Sequence, residues 1–529
     1  MFNTDKSCKS RHLIYLLILS IYILYATLFI YRTSFKVGGV RYFCLFDDAM
    51  ISMTYARNLA HGHGLVWSPS GQRVEGCTNL LWVIYMALFH LLPITQSKIS
   101  LFIQASGALL LALNCLFVKR IACLLSEDTV PVAASAMALT AFYLPLNNWA
   151  LQGMEVGALT LLISIAVLEV LNNLKTGGRS LLPFLLLGLA SLIRIDLFVP
   201  FVVVLLFLII CDPENRRYNL IAGLTILLIS AISQTLFRLF YYGDWLPNTY
   251  YLKISGVPLH LRLERGLVVL ALFIWKMNWV FFLIAFLPLI LRKNKTLLLP
   301  TVLILTQMAY SVCVGGDSWE WWGGCNRFIS IIMPLFFILF ACGTRYMTEI
   351  ISGGMGWRKP NILFAVLILG ALVNFNAISG PSALAEWLLI KKPLHVEDNQ
   401  EKVREALLLK RITRKEARIA VTWGGIPIYF SERHGVDIPG KNDRIIARQK
   451  MRPINGIREF NPGHLKRNYA YSIGHLRPDV VAELGRAPEE AEPFLKQYYE
   501  KIALEGFSFY FLKGSQNITF IPQQETSAP

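Results

Sequence analysis

Asp47 and Asp48 stand side by side in FDDAMISMTYARNLAHGHG, and an adjacent carboxylate pair of this kind can take a proton from a reacting hydroxyl. Behind them Ile51, Tyr55 and Leu59 recur every four residues, with Thr54, Arg57, Asn58 and His61 off that stripe. This spacing predicts an amphipathic helix of about four turns, ended by Gly62 and Gly64 and followed by a turn over SPSGQ, 68–72. The plainer use of the pair is structural, one Asp capping the helix and the other facing its dipole. Further ionisable and polar groups punctuate otherwise apolar sequence: His61, His63, Arg73 and Glu75; Glu155; Arg194 and Asp196; Asp244, Asn248 and Lys253; and Asp317, Glu320 and Arg327.

Those groups can cooperate only if long apolar segments deliver them to one side of a membrane. With 529 residues, 55% hydrophobic and 16% charged, the chain reads as a polytopic α-helical membrane protein. The net charge is +17, and residues 1–380 carry 28 Lys and Arg against 16 Asp and Glu. In a membrane protein that excess marks loops facing anionic lipid, so the lipid bilayer is the expected partner and nucleic acid is not. The basic N-terminus ahead of 15–31 predicts a cytoplasmic start and an outer first loop, 33–97, in which 79–94 is a helix lying in or re-entering the outer interface. Crossings follow at 99–118, 130–149 and 156–172, then two short ones within 180–210 that turn at Arg194–Asp196. The remaining crossings are 219–240, 267–290, 297–314, 328–347 and 361–379, giving about 11 transmembrane helices. Lys276 falls inside one of them and is expected to snorkel outward. On this topology the short basic clusters face inward and the loops rich in Asp, Trp and Gly face outward.

Hydropathy drops from 381 onward. EARIAVTWGG, GVDIPG, PDVVAEL and FSFYFLKG read as strands with turns, and 397–412 and 488–503 as helices, which predicts a C-terminal soluble α/β domain over 381–529 behind a catalytic membrane domain over 1–380. The nine cysteines form no CxxC pair. Cys44 and Cys77 flank the carboxylate stretch and read as buried thiols, or as a disulfide if that face is oxidising. Ionisable groups at membrane depth are costly unless they serve one another or a ligand. A mixed cluster suits a phosphate-bearing lipid: cations hold phosphate, a carboxylate takes a proton, and Trp245, Trp319, Trp321 and Trp322 stack on sugar or prenyl chain. A structural ion-pair network is the alternative.

DDAMISMTYARNLAHGHGLVWSPSGQRVEGCTNLLW resembles the first outer loop of GT-C type membrane glycosyltransferases, most like the mycobacterial terminal arabinofuranosyltransferase family. QGMEV, LIRID, YYGDWLPNTYYLK, GGDSWEWWGGCNRF, VTWGGIPIYFSERHGVDIPGKNDRIIAR and GHLKRNYAYSIGHLRPDVV extend the likeness in order along nearly the whole chain. Cys77, Val156 and Ile195 depart from the pattern. The resemblance implies an inverting glycosyltransferase that moves a sugar, with a pentofuranose among the candidates, from a polyprenyl-phosphate donor to an acceptor glycan or glycolipid. The reaction would lie on the outer face of a bacterial inner membrane, with the C-terminal domain extracytoplasmic. It implies Asp47 or Asp48 as catalytic base, with Asp47 preferred. Arg194 and Arg327 would hold the donor phosphate, helped by Lys253 and His63, while Glu75, Glu155, Asp196, Asp244, Asn248 and Trp319 would bind substrate. Asp317 with Asp48 would converge on a divalent cation (Mg²⁺, Mn²⁺ or Ca²⁺), unless arginines neutralise them. A transporter or flippase of lipid-linked sugar and a non-catalytic glycan-assembly scaffold are the rival readings; the charges sit at span ends and no internal repeat is visible, which favours the enzyme.

Overall fold

The computed structural model describes residues 2–69, 71–126, 129–292, 295–320, 326–355 and 360–519. The chain divides into two compact units. One comprises residues 1–33, 101–236 and 258–394, and the other 34–100, 237–257 and 395–529.

The first unit is helical. Among the described residues, five helices can cross a membrane by length and apolar composition, His12–Thr33, Gln96–Leu125, Val156–Thr176, Arg216–Tyr242 and Met333–Ser352, and up to eight if each of three bent pairs counts as one span. Leu182–Ile193, Ile195–Cys211 and Leu298–Cys313 are shorter apolar helices, so every expected crossing coincides with a helix or a bent pair. The 180–210 stretch does break in two, at a short 3₁₀ turn over Ile195–Leu197. The 267–290 stretch is not straight: Leu259–Lys276 and Trp279–Leu291 meet at 88°. The cause is Asn278, whose φ of +68° breaks the helix while its side chain accepts the N–H of Val280 at 3.1 Å. Lys276 therefore ends a helix instead of interrupting a span. Helices approach closely where side chains vanish, since a Cβ at Gly107, Gly266 or Gly343 would strike the backbone of Ala150, Val312 or Ile284. Phe336, Phe337, Phe340 and Phe375 fill the interior with tilted and edge-on ring contacts.

The second unit joins the first loop to the C-terminal domain. A hairpin, β1 (Phe35–Val37) and β2 (Val40–Tyr42), precedes the helix Asp47–Ala60. Gly62 and Gly64 follow it with φ near +80°, as the helix stop demands. The helix is not amphipathic in its setting. Eleven of its residues are buried, polar Asp47, Thr54, Arg57 and Asn58 among them, because it packs against both Leu80–His90 and Ile426–Ser431. The C-terminal sheet holds β3 (Arg418–Val421), β4 (His434–Asp437), β5 (Val480–Val481), β6 (Tyr499–Leu504) and β7 (Phe507–Leu512) in the order β4-β3-β5-β7-β6. β3 runs parallel to β4 and β5, and β7 antiparallel to β5 and β6. Val436, Ile438, Tyr469, Ile473, Val481 and Leu495 form one core, and Val403, Ala406 and Leu409 of helix Val396–Ile412 are buried on another. The expected 488–503 helix is cut short. Glu492–Tyr498 is helical, but Tyr499–Leu504 pairs with β7 through a Glu505–Gly506 turn at positive φ, the geometry a two-residue hairpin requires.

Candidate active site

Phe46, not an aspartate, occupies the N-cap of helix Asp47–Ala60, and Asp47 and Asp48 are its first two residues. Asp47 is 7% exposed. Its Oδ1 accepts the N–H of Gly425 at 3.1 Å and of Ile426 at 2.9 Å, where strand β3 runs through TWGG into helix Ile426–Ser431. Gly425 is required there, because any side chain would run into Asp47. The same turn is held from its other end by Glu483, which accepts the N–H groups of Thr422 and Trp423 at 3.0 and 2.8 Å. Both hydrogen bonds to Asp47 thus end on one oxygen. Burial pushes the carboxyl up to about 7, outweighing the Ile426 N–H and the Lys441 charge that favour the anion.

Asp48 points elsewhere, to the ammonium of Lys441 at 2.6 Å. Lys441 rides on a loop held by hydrogen bonds. Asp437 accepts the backbone N–H groups of Gly440 at 3.2 Å and Asn442 at 2.5 Å, and Asn248 Nδ2 donates to the carbonyls of Gly440, Lys441 and Asp443. Tyr55 from the Asp47 helix reaches Asn442 at 3.0 Å. Next to this loop lies His464, which burial and then the Lys441 charge drive down to about 4, so that its imidazole is neutral. Lys253 packs along Gly463, one residue before it. Lys441 and His464 fall within motifs quoted above, yet nothing local to either assigns a role.

The other first-loop candidates form the surrounding frame. Glu75 is buried against Arg238 at 2.7 Å, and burial raises its carboxyl despite that partner. Its carbonyl accepts the N–H of Asn248 at 3.1 Å. Arg238, inside an apolar run, was not singled out from sequence. The signal was available, since a charge in such a run needs a partner. Asp244 pairs with Arg444 at 3.0 Å and Arg448 at 2.5 Å. His61 and His63 are exposed at the helix stop. Arg73 lies over the Tyr241 ring. Cys44 and Cys77 are buried free thiols, both raised by burial.

The helical unit brings together a second set. Arg194 forks onto Asp196 through two 2.6 Å bonds and reaches Glu155 at 3.1 Å, with its guanidinium over the ring of Phe328. Arg327 forks onto Asp317 through two 2.7 Å bonds and lies over Trp149. Arg265, also missed from sequence, pairs with Glu320 at 2.7 Å and bonds the Asp317 carbonyl at 3.0 Å. Burial pushes Glu320 up to about 7 even so. Beside Trp149, both amide atoms of buried Asn148 have no hydrogen-bond partner among the described residues, nor has Gln152 Oε1. Unsatisfied capacity of this kind is what a polar ligand uses. Trp319 is partly buried, Trp245 is exposed, and Trp321 and Trp322 lie outside the described residues.

The proposed cation ligands fit a metal poorly. Asp317 gives both oxygens to Arg327 and Asp48 gives one to Lys441, and among the described residues no three His, Cys, Asp or Glu gather as a ligand set. The charge neutralisation a cation would supply comes here from arginine and lysine.

No family model matches the chain, and no curated relative does. Solved structures share its fold. ArnT from Cupriavidus metallidurans bound to undecaprenyl phosphate superposes with a TM-score of 0.57 at 10% identity, over 94% of this chain and 97% of that one. The archaeal oligosaccharyltransferase AglB from Archaeoglobus fulgidus, in complex with an inhibitory peptide and a dolichol-phosphate, gives 0.58 at 11% identity over 95% of this chain and 74% of that one. A complex of the Archaeoglobus fulgidus oligosaccharyltransferase with Zn and sulfate gives 0.55 at 10% identity, over 94% and 73%. The chain thus has a GT-C-like membrane fold with a C-terminal sheet domain, the fold it shares with ArnT and AglB.

Proposed function

We propose that the chain is an inverting glycosyltransferase that transfers a sugar from a polyprenyl-phosphate donor to an acceptor glycan or glycolipid on the extracytoplasmic face of a bacterial membrane. The observation that carries this reading is a buried carboxylate, Asp47, with one oxygen anchored by two backbone amides, in a fold shared end to end with a structure holding undecaprenyl phosphate.

Asp47 Oδ2 accepts the proton of the acceptor hydroxyl while that oxygen attacks the anomeric carbon. The bond from that carbon to the phosphate oxygen breaks, its electron pair leaves with the polyprenyl phosphate, and the anomeric configuration inverts. Anchoring Oδ1 fixes the direction of Oδ2, and a carboxyl near 7 is matched to proton transfer at neutral pH. Asp48, balanced by Lys441, positions the Lys441 ammonium, and Lys441 and Lys253 offset the charge that develops on the leaving phosphate. Arg194 and Arg327 keep a proposed part in donor binding, in which phosphate oxygens compete with Asp196 and Asp317 for the guanidinium forks. A pentofuranose remains a candidate sugar on the arabinofuranosyltransferase resemblance.

The test is release of polyprenyl phosphate by purified protein in liposomes, across a panel of polyprenyl-phosphate pentoses and hexoses with an oligosaccharide acceptor. Product of inverted anomeric configuration by NMR supports the reading. Movement of intact donor between leaflets without bond cleavage would overturn it in favour of a flippase.

A further inference from the structure

Lys119, Arg120 and Lys175 converge on one cleft of about 720 Å³ at the C-terminal ends of helices Gln96–Leu125 and Val156–Thr176. Glu169 is its sole acidic wall and Asn172 adds an amide, while Phe117, Leu124 and Leu168 make it apolar. None of the three cations is in an ion pair among the described residues. Lys119 lies 4.3 Å from the Tyr15 ring and Arg120 5.5 Å from the Phe117 ring, contacts that bring no negative charge. Basic residues at span ends are ordinary. Three of them from two helices around a single concavity, with one carboxylate among them, are not explained by topology alone. Helix C-termini carry partial negative charge, but roughly half a unit each does not offset the excess of cations.

We infer that this cleft binds the phosphate headgroup of an acidic glycerophospholipid. The lipid, and not free phosphate, is indicated by what adjoins the charges: Leu109 and Leu113 continue the Phe117 stripe at i−8 and i−4 along the same helix, and both are exposed. A headgroup among the cations would lay an acyl chain along that stripe. Basic pockets between membrane helices are suited to such headgroups. This site is separate from the carboxylate chemistry and does not depend on the proposed transferase reaction.

The full-length protein, stripped of co-purifying lipid in detergent, would be titrated with phosphatidylglycerol or phosphatidylcholine and bound lipid counted by native mass spectrometry. Each cation near a lipid phosphate is worth a factor of about five, so the three together favour phosphatidylglycerol by roughly 100-fold, and at least about tenfold is expected. The Lys119→Gln/Arg120→Gln/Lys175→Gln variant should lose that preference. Lys119→Arg/Lys175→Arg, which keeps the charges, should retain it, and both should unfold within a few degrees of the parent. Equal binding of the two lipids, an unchanged preference in the triple Gln variant, or displacement of the lipid by an equal concentration of inorganic phosphate would each overturn the inference.

Discussion

Asp47→Asn separates the structural use of Asp47 from its proposed chemical one. The amide Oδ1 of Asn can still accept the N–H groups of Gly425 and Ile426, so the turn entering helix Ile426–Ser431 keeps both anchors. What is lost is the base, for which a drop in turnover of about 10²- to 10⁴-fold is expected. Stability should move the other way. The folded carboxyl titrates near 7 against an ordinary value of 3.8, so the folded state binds the proton more tightly, and the cost of burying the anion grows from pH 4 to 7 and is complete above 7. About three pH units at about 1.4 kcal/mol each set a ceiling near 4 kcal/mol on what Asn relieves above pH 7, with no gain below pH 4. Asp47→Ala gives the contrast, since it removes the same buried charge but orphans two buried amides at about 1–3 kcal/mol each, so it should be less stable than Asp47→Asn at every pH and less stable than the parent below pH 4. Polyprenyl phosphate release between pH 5 and 9 should climb with pH through about 7 in the parent, with denaturant unfolding measured on the same preparations. Asn protein that turns over within about twofold of the parent, or a parent rate flat across that range, would refute the assignment.

Three further outcomes follow from the same contacts. Lys441→Gln removes the cation from Asp48 and should lower kcat by about tenfold or more, and a matching loss that is rescued in Lys441→Arg would tie the effect to charge, read by steady-state kinetics. Arg327→Gln leaves Asp317 buried at 1% exposure without its fork and should destabilise by about 3–5 kcal/mol, whereas Arg327→Gln/Asp317→Asn should recover most of it; a double-mutant cycle in denaturant, with donor affinity measured on the folded fraction, separates ion pairing from phosphate binding. Exhaustive chelation should leave activity within about twofold, because Arg327 and Lys441 already neutralise Asp317 and Asp48; activity restored only by added Mg²⁺, Mn²⁺ or Ca²⁺ would return a metal to the mechanism.

What could be read from the sequence was whatever has a local cause. The Asp47 helix ends at glycines that adopt positive φ, the 180–210 stretch breaks where Arg194 and Asp196 cannot stay in hydrocarbon, and Val396–Ile412 is helical where its apolar spacing says so. What could not be read depends on partners far along the chain. Asp48 meets Lys441 across 393 positions, and Asp47 meets Gly425 across 378, so no window of periodicity contains either pair. The Asp47 helix reads as amphipathic because Thr54, Arg57 and Asn58 lie off the apolar stripe, yet these polar side chains are buried: Arg57 donates to the Tyr429 carbonyl of the C-terminal domain, and Asn58 to the Val66 and Trp67 carbonyls of the first loop itself. The same limit explains the strand at Tyr499–Leu504, whose helix-compatible residues are overruled by pairing with β7. The glycine in TWGG offered a partial clue, because a close backbone approach must have an occupant, and that occupant is the carboxylate of Asp47. A carboxylate that accepts hydrogen bonds from backbone amides cannot drift as one held by a side-chain partner could. The long-range contact that sequence alone could not supply is therefore the one that gives Asp47 a fixed orientation, and an oriented base is what an in-line attack on the anomeric carbon requires.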